Sequence, residues 1–433
     1  MVDRRSFLAA VAAVAPAPAF AATAFRRLAD AQQVAGTRSP ADLAGDEDFW
    51  EPIQRAFDLD RSMLNFNSGG CSPAPTHVLQ QMIRDLQYSN ELPVLHMWGH
   101  LEGRVEAVRR DLAEDFGCDP EELAIVRNAS EANETMIFGL DLQRGDEVIV
   151  SDLNYGRMTA SWEQRARRDG VVIKTVTYDV PSSDEHVLAR FLEAVTPRTR
   201  AIEITHINNF NGLILPVRRL VDAVRPKGVQ VFVDGAHAYA HFPFTRDTLD
   251  CDYYGTSLHK WLCAPIGTGF LYVRRDKIKA LWPLLGSNAG MMDNIRKYEE
   301  FGTHPAANHN AIGVALAFHR SIGVERKLAR LRWLRDRWSA QLQTLDPRVK
   351  ILTPMAEGRS GAIGLFAVDG IDVGKFATVM LDKHRVVCTP IGHPKFSGIR
   401  VTPNIFSTRD DCDRFADLAA RVLKDDFKLI ASG

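Results

Sequence analysis

Short apolar runs alternate with helical stretches along the middle of the chain. The runs are bounded by turn residues and fall at residues 123–126, 147–150, 171–176, 201–204, 229–233 and 269–273. Strands that are apolar along their whole length are typical of a parallel sheet that is covered on both faces. The alternation therefore predicts an α/β fold built on a mostly parallel sheet.

The pattern changes beyond residue 310, where two long helical stretches precede short strands and a final helix. These elements suffice for a smaller α+β domain. The chain beyond residue 24 is predicted to comprise an N-terminal segment that joins the small domain, a large domain and a C-terminal small domain, with bounds at residues 25–75, 76–309 and 310–433.

The first 24 residues have the pattern of an export signal. Residues 1–5 are basic, residues 6–20 are apolar and rich in alanine, and small residues at 19–21 and 22–24 offer cleavage sites. A membrane-spanning helix needs about 20 apolar residues, and this stretch is shorter and is interrupted by prolines. We therefore predict a leader that is cleaved near Ala21 or Ala24.

Adjacent Arg4 and Arg5, followed by Ser6-Phe7-Leu8, resemble the twin-arginine signal. That signal directs folded proteins across the bacterial inner membrane. The resemblance implies a periplasmic protein that uses the twin-arginine export machinery. An ordinary secretory signal or an uncleaved anchor is the alternative.

The composition argues against several classes of protein. Of the 433 residues, 45% are apolar and 25% are charged, a balance that fits neither a disordered nor a fibrous chain. The 53 lysines and arginines face 54 aspartates and glutamates, so no basic excess is available for nucleic acid. Nothing after the leader approaches a membrane span.

The six cysteines are widely spaced, and no two form a CxxC pair. This spacing argues against a zinc knuckle or a redox pair, and we predict no metal site. Most of the cysteines lie in apolar or helical segments, where a buried thiol is the common state. We therefore predict mainly free thiols.

Polar residues that directly follow the apolar runs are the first candidates for chemistry. In open parallel sheets, ligands bind beyond the carboxyl ends of the strands. Asp234 follows the run at 229–233, and a carboxylate at the end of a buried strand is costly unless it has a partner or a task. A helix cap is the alternative role for this residue.

Lys260 stands between His259 and Trp261 in an apolar segment. Partial burial lowers the pKa of an amine and exposes its lone pair, which attack on an aldehyde requires. A surface lysine is the alternative interpretation.

Two further polar segments follow apolar runs. Residues 128–132 open a helix with small residues, whose backbone N–H groups suit an anion, although an ordinary N-cap at Ser130 explains them as well. Residues 205–209 contain His206 and Asn209, types that are usually structural in buried loops.

These signals occur together in one known family. The segment Val233-Asp234-Gly235-Ala236-His237, with Lys260 26 residues beyond Asp234, resembles the class V enzymes of fold type I, which depend on pyridoxal 5′-phosphate (PLP). The spacings from Asn209 to Asp234 and from His237 to Lys260, 25 and 23 residues, are similar to that family's pattern.

The resemblance extends from about residue 62 to Thr408, and residues 259–265 are most similar to the isopenicillin N epimerase branch. It implies a fold type I PLP-dependent transferase, with a large domain on a mostly parallel sheet and a smaller α+β domain. It also implies a homodimer whose subunits share their active sites.

The resemblance assigns a role to each candidate near the cofactor ring. Lys260 would carry the covalent bond to PLP, and Asp234 would pair with the pyridine nitrogen and keep it protonated. His237 and Asn209 would approach the ring hydroxyl, and Tyr155 would stack on the ring face. Lys260, Asp234 and Tyr155 are the predicted catalytic residues.

The phosphate and the substrate have their own predicted residues by the same resemblance. The phosphate would be held by Ala129, Ser130, Ser257 and His259, with Thr303 reaching it from the neighbouring subunit. Arg400 matches the family's arginine for the substrate carboxylate, and a planar guanidinium suits that anion.

One departure from the family bears on the reaction. Cysteine desulfurases of this class need a nucleophilic cysteine on a mobile loop shortly before the arginine. In this chain Cys388 lies earlier, and residues 392–395 contain no thiol. Persulfide chemistry is therefore disfavoured.

The sequence leaves the reaction open. PLP weakens all three bonds of the α-carbon, and the protein decides which bond breaks. We predict an epimerase-like or aminotransferase-like enzyme in the periplasm that acts on an amino acid or on an amino-acid moiety of a peptide. Tyr155 and His206 are the candidates for a second acid. Alternatives are oxidative decarboxylation or transamination of a peptide siderophore precursor, a carbon-sulfur lyase, and a PLP-fold binding protein without turnover.

Overall fold

A computed structural model describes residues 28–431, apart from positions 31 and 34. The predicted leader lies outside the described residues. The helices are α1 Pro40–Ala44, α2 Glu47–Gln54, α3 Thr76–Glu91, a π-helix Val94–Leu101, α4 Glu102–Phe116, α5 Ala129–Gly139, α6 Gly156–Asp169, α7 Asp184–Ala194, α8 Val217–Val224, α9 Arg246–Leu249, α10 Ala306–Ile322, α11 Val324–Leu345, α12 Val373–His384, α13 Arg409–Asp425 and α14 Phe427–Ile430.

The strands fall into a large and a small sheet and one isolated pair. They are β1 Leu64–Asn65, β2 Leu123–Val126, β3 Glu147–Ser151, β4 Val172–Val176, β5 Thr199–Thr205, β6 Gln230–Asp234, β7 Tyr253–Ser257, β8 Gly269–Val273, β9 Lys350–Ile351, β10 Gly364–Ala367, β11 Val386–Val387, β12 Thr389–His393 and β13 Phe396–Val401.

The large sheet has seven strands in the order β2-β8-β7-β6-β5-β3-β4. Only β8 runs antiparallel to its neighbours β2 and β7, which confirms the predicted α/β fold with a mostly parallel sheet. One face of the sheet packs on α4 and α8 and the other on α5 and α6. Both faces are thus covered, as parallel strands require.

The pattern of apolar positions missed β7. Its sequence Tyr-Tyr-Gly-Thr-Ser reads as polar, yet all five residues are buried. Hydroxyl groups are tolerated there because they find backbone partners; the Thr256 Oγ1, for example, donates to the Gly235 carbonyl at 2.8 Å. At one edge of the sheet, β4 is mostly apolar in sequence but mostly accessible in the structure.

Helix α4 ends at Gly117. Gly117 has a φ of 80°, a left-handed conformation that stops α4 and that glycine adopts without strain. The eight residues before α4 form a π-helix that the sequence did not indicate.

The small domain contains the four-stranded sheet β12-β13-β10-β9, packed against α12 and α13. The N-terminal segment enters this domain through β1, which pairs with β11 in parallel. Upstream of β1, Phe49, Trp50 and Phe57 belong instead to the core of the large domain.

The predicted domain boundary at residue 310 falls within α10. Side chains of α10, such as Ile312 and Leu316, pack in the large core. Within α11, Leu331 still belongs to the large core, whereas Leu334 belongs to the small one. A single 22-residue helix spans both cores, so helical periodicity alone marks no boundary.

All six cysteines are free thiols, which confirms the prediction. Within residues 28–431, no helix is both long and apolar enough to cross a bilayer.

Candidate active site

Several of the predicted site residues lie at the carboxyl ends of the central strands. Asp234 ends β6 and lies beside Thr205, which ends β5. Ser257 ends β7, and the loop that follows carries Lys260 towards the same edge of the sheet. This edge is where ligands bind in open α/β sheets.

Lys260 has the environment of a reactive amine. Its Nζ lies 3.0 Å from the Nε2 of His237. Burial lowers the pKa of Lys260 to about 8, Asp234 opposes this shift, and Arg400 adds to it. A lysine with this pKa is neutral in a substantial fraction at physiological pH, so its lone pair can attack an aldehyde.

The Asp234 carboxylate is almost fully buried and accepts a hydrogen bond from the Ala236 N–H at 3.0 Å. Burial raises its pKa above the usual value, while the backbone hydrogen bond and Lys260 lower it. A buried carboxylate that is not fully compensated calls for a cationic partner. The protonated pyridine nitrogen of PLP would supply that charge.

The His237 ring contacts Lys260 and interacts electrostatically with Arg400. Burial and these two cations keep the pKa of His237 well below its usual value. Its Nδ1 is buried without a hydrogen-bond partner among the described residues. The ring is therefore neutral and has one nitrogen left for a ligand, as its predicted contact with the ring hydroxyl requires.

The phosphate residues meet at the first turn of α5. The cap of this helix is Asn128, whose Oδ1 accepts from the Glu131 N–H at 2.9 Å, so the alternative of a cap at Ser130 is wrong. The Ala129 N–H donates to the Ser257 Oγ at 3.0 Å. Amides at this helix start and the positive end of its dipole suit an anion.

Gly269 allows the segment that contains Asn128 and Ala129 to lie close to the sheet. A Cβ on Gly269 would lie 2.5 Å from the Thr256 carbonyl and 2.7 Å from the Asn128 Cα. Both neighbours are backbone atoms, so any larger residue would displace the loop that presents Ala129. His259, which completes the predicted set, has its Nδ1 3.2 Å from the Thr268 carbonyl.

Arg400 is a buried cation held by neutral oxygen atoms. It is 7% exposed, and it donates to the Asn209 carbonyl at 3.0 Å and to the Asn67 Oδ1 at 2.9 Å. Burial lowers its pKa to about 10, and Tyr155 opposes this shift. Within the described residues it forms no ion pair, and its Nε lacks a hydrogen-bond partner. A bound carboxylate would supply both.

Tyr155 precedes α6, and its side chain is 48% exposed near Arg400. It is therefore available to a ligand. Thr303 is exposed, and its contact with the phosphate of a neighbouring subunit stays a prediction.

His206 is not placed to act as a second acid. Its ring packs edge-on against Phe242 and Phe244, with centroids at 5.0 and 4.5 Å. Burial lowers its pKa to about 3. The structure thus removes this candidate and makes His206 part of the aromatic core.

The sequence missed two residues that support Arg400. The Asn67 amide oxygen accepts from Arg400 and also from the Thr389 Oγ1, at 2.7 Å. Asn67 lies in a segment rich in Asn, Ser and Gly, a composition that is typical of a loop. A signal was present, because a run of such residues beside the first strand is also suited to polar contacts.

The same loop brings Cys71 to the site. Its Sγ lies 3.7 Å from the His259 carbonyl, and its thiol interacts electrostatically with Lys260. Burial raises the pKa of Cys71, and Lys260 opposes this shift. The thiol is thus mostly protonated at neutral pH.

Another missed group is the carboxyl of Glu203, buried in β5 on the strand beside Asp234. It accepts a hydrogen bond from the Trp162 Nε1 at 2.6 Å. Burial, with a smaller contribution from Asp234, raises its pKa to about 8. It is therefore largely neutral and adds little charge behind the site.

Taken together, these groups match one kind of cofactor. They comprise an amine for an aldehyde, a carboxylate for a cationic ring nitrogen, and helix amides for a phosphate. PLP carries all three of those functions. The remaining cation, Arg400, is left for the carboxylate of a substrate.

Comparison with known proteins agrees with this chemistry. Residues 64–415 match the family profile described as aminotransferase class-V. The isopenicillin N epimerase of Amycolatopsis lactamdurans is 30% identical over 400 residues, which cover 87% of this chain and 99% of that protein.

Two solved structures of the protein C-DES have the same fold. In one, glycine is covalently linked to the PLP cofactor; it shares 22% identity, covers 83% of this chain and 97% of its own, and has a TM-score of 0.73. The other is a complex of this cystine C-S lyase with cysteine persulfide, at 23% identity, coverage of 83% and 98%, and a TM-score of 0.74. The fold of this chain is therefore that of fold type I PLP-dependent enzymes.

Proposed function

Because the chain belongs to the class-V aminotransferase family, whose cofactor is PLP, we propose that it acts at the α-carbon of an amino acid or of an amino-acid moiety of a peptide. The reaction is epimerase-like or aminotransferase-like. The observation that carries this proposal is that Lys260, an amine with a lowered pKa, lies close enough to Arg400, a buried arginine without an ion pair among the described residues, for the two to interact electrostatically.

The chain's own residues divide the work. Arg400 binds the substrate carboxylate through its guanidinium, and Asn67 and the Asn209 carbonyl keep that group in place. Lys260, as a neutral amine, accepts the α-proton. Bound PLP supplies the sink for the electrons left on the α-carbon, and Asp234 favours this by its negative charge at the ring nitrogen.

A carboxylate paired with Arg400 is stabilised in its charged form, which loss of CO₂ would destroy. The site therefore favours cleavage of the C–H bond over decarboxylation. Epimerisation also needs an acid on the opposite face, and Tyr155 is the remaining candidate. The similarity to isopenicillin N epimerase supports this branch.

The test is incubation of the purified enzyme with pools of amino acids and short peptides in deuterated water, followed by NMR. Deuterium at Cα with loss of optical activity indicates epimerisation, and a new keto acid indicates transamination. If no compound exchanges its α-proton while PLP is bound, the chain is a binding protein and the proposal is wrong.

A carbon-sulfur lyase is the second candidate, because Cys71 places a thiol near Lys260. The similarity to the cystine C-S lyase supports it further. The loop at residues 392–395 still lacks a thiol, and Cys388 is buried. Release of sulfide or persulfide from cystine by the wild type, reduced in Cys71→Ser, would favour this activity; no release would exclude it.

We also propose a homodimer with shared sites. Large apolar side chains are exposed along α3, the π-helix and the loop after residue 281, namely Leu79, Ile83, Leu86, Val94, Leu95, Trp98, Trp282, Leu284 and Leu285. Exposed large apolar side chains of this kind suit subunit contact. Sedimentation should give a dimer that Trp98→Glu dissociates and that the matched exposed change Leu381→Glu leaves intact. A monomeric wild type would contradict this.

Location in the periplasm is likewise a proposal and is supported by the sequence of the leader. The fold adds a reason for the twin-arginine route, since Asp234 and Lys260 lie on different strands and loops and hold a cofactor only after folding. Cell fractionation should find the protein in the periplasm, and Arg4→Lys with Arg5→Lys should retain it in the cytoplasm. Unchanged export of that double variant would rule out this route.

A further inference from the structure

Three rings meet beside Arg400, outside the set of residues assigned above. Phe210 comes from the large domain, and His393 and Phe396 come from the hairpin of β12 and β13 in the small domain. The His393 and Phe396 rings stack at 4.9 Å, and Phe210 lies 6.0 and 6.1 Å from them. We call these three residues the ring cluster.

The ring cluster adjoins the carboxylate anchor through two connections. Arg400 donates to the carbonyl of Asn209, the residue directly before Phe210. Arg400 and Phe396 also lie four residues apart on β13 and therefore on the same face of the strand. His393 is the partner of Phe396 in the register of the hairpin, so these two residues lie on the same face of the small sheet as Arg400, and the Phe210 ring packs against both of their rings.

The rings remain partly accessible, unlike the core rings around Phe116. Rings that stay accessible beside a buried anion site offer contact area to a ligand.

Asp152 and Lys395, the charged side chains next to the ring cluster, are already paired with each other. The Asp152 carboxylate binds the Lys395 Nζ at 3.0 Å and the Thr177 hydroxyl at 2.7 Å. The His393 Nε2 lies 3.3 Å from the Asp152 carbonyl, which fixes the hairpin to the large domain. An acidic side chain of a substrate would have to compete with Asp152 for Lys395, whereas an apolar side chain gains burial without such competition.

We propose that the ring cluster is the subsite for the substrate side chain and that it selects amino acids or terminal peptide residues with aromatic or long apolar side chains. This inference rests on the proposed function, because Arg400 must hold the α-carboxylate for the side chain to reach the rings. Short and acidic side chains are the disfavoured classes.

The test compares phenylalanine, alanine and glutamate, each as both enantiomers, on the PLP-loaded enzyme. Two readouts are used: the concentration that half-saturates the change in cofactor absorbance, and kcat/KM for deuterium exchange at Cα. We expect the wild type to prefer phenylalanine by roughly 10- to 100-fold, the range for one hydrophobic pocket contact. Phe210→Ala and Phe396→Ala should remove most of this preference and leave alanine within about threefold.

Phe427→Ala is the matched control, since it removes a partly buried ring elsewhere in the small domain. If an alanine variant fails to fold, Phe210→Leu and Phe396→Leu keep an apolar side chain and should lower the preference for phenylalanine over alanine. A wild type without preference, or variants that lose phenylalanine and alanine equally, would overturn the subsite. If no amino acid changes the spectrum or exchanges, the proposed function fails instead.

Discussion

Two clusters of charged side chains in this protein, each built around a buried arginine, are in opposite electrostatic states. The first joins Arg109 to Glu106 and Glu299, and Arg296 to Glu106 and Glu121. Arg109 is 1% exposed, and its two terminal nitrogens bind the two Glu299 oxygens at 2.5 and 2.7 Å. The pKa of Glu106 falls to about 2, chiefly through Arg296, and the pKa of Arg109 rises despite its burial.

The second cluster is the active site, where the shifts run towards the neutral forms. Burial lowers the pKa of Lys260 to about 8 and that of Arg400 to about 10, and it raises the pKa of Asp234. Paired charges complete the structural network, whereas the site keeps charges that only a ligand completes. This contrast is what separates a functional cluster from a structural one.

The largest effect should come from Lys260→Ala. We expect loss of roughly 10³-fold or more in turnover, because the nucleophile is removed, with no loss of thermal stability. Lys297→Met is the control, since Lys297 is another buried lysine with a pKa lowered to about 8 but lies outside the site. Activity per folded molecule should survive in that variant. Retained turnover in Lys260→Ala would end the distinction between the clusters.

Arg109→Met should have the opposite effect: the protein loses stability, while the active site keeps its function. Removal of one member leaves the Glu299 carboxylate without its partner, which costs about 3 to 5 kcal/mol for a buried pair, while PLP binding per folded molecule stays. Unfolding in urea measures the loss. The double variant Arg109→Met with Glu299→Gln should recover part of the lost stability. The control is Asp369→Asn, which breaks the exposed pair with Lys350 and should lower the stability by no more than about 0.5 kcal/mol.

Arg400→Ala should weaken the binding of substrates with an α-carboxylate by about 10²-fold, because a charge-assisted pair is lost. Arg400→Lys should retain only part of the wild-type affinity, since an ammonium lacks the planar fork of a guanidinium. Titration of the cofactor spectrum gives both affinities. Equal affinities for wild type and Arg400→Ala would remove the arginine from substrate binding.

The pH dependence gives the finest test. In the protein without PLP, the Lys260 pKa of about 8 lies below the unfolded value of 10.5. The unfolded chain therefore binds the extra proton between these pH values, and the destabilisation caused by Lys260 is complete below pH 8 and fades as pH rises to 10.5.

Lys260→Met should thus be more stable than the wild type at pH 7, by about 3 kcal/mol at most, and the difference should shrink towards pH 10.5. Urea unfolding of both proteins over this range measures it. A difference that grows with pH would contradict the lowered pKa of Lys260.

The features that the sequence predicted correctly are those that show in a short local pattern. The strand before Asp234 and the segment around Lys260 are contiguous, so their chemistry is visible in a few residues. The mostly parallel sheet followed from the apolar runs for the same reason.

The parts that escaped prediction depend on contacts between distant segments. Cys71 lies about 190 residues before Lys260, and Asn67 lies 333 residues before Arg400. The sequence around Asn67 and Cys71 therefore does not indicate which residues they contact. β7 escaped because its hydroxyl-rich sequence is buried through backbone partners. The ring cluster brings Phe210 against a hairpin of the other domain, and only the fold makes that neighbourhood.

The central claim is that Lys260 is the lysine that binds PLP. The holoenzyme should be reduced with borohydride, digested and mapped by mass spectrometry. We expect a phosphopyridoxyl group on the peptide that contains Lys260 and on no other. The claim would be contradicted by the absence of this group, or by its presence on Lys297 or Lys327, the other buried lysines with a pKa of about 8.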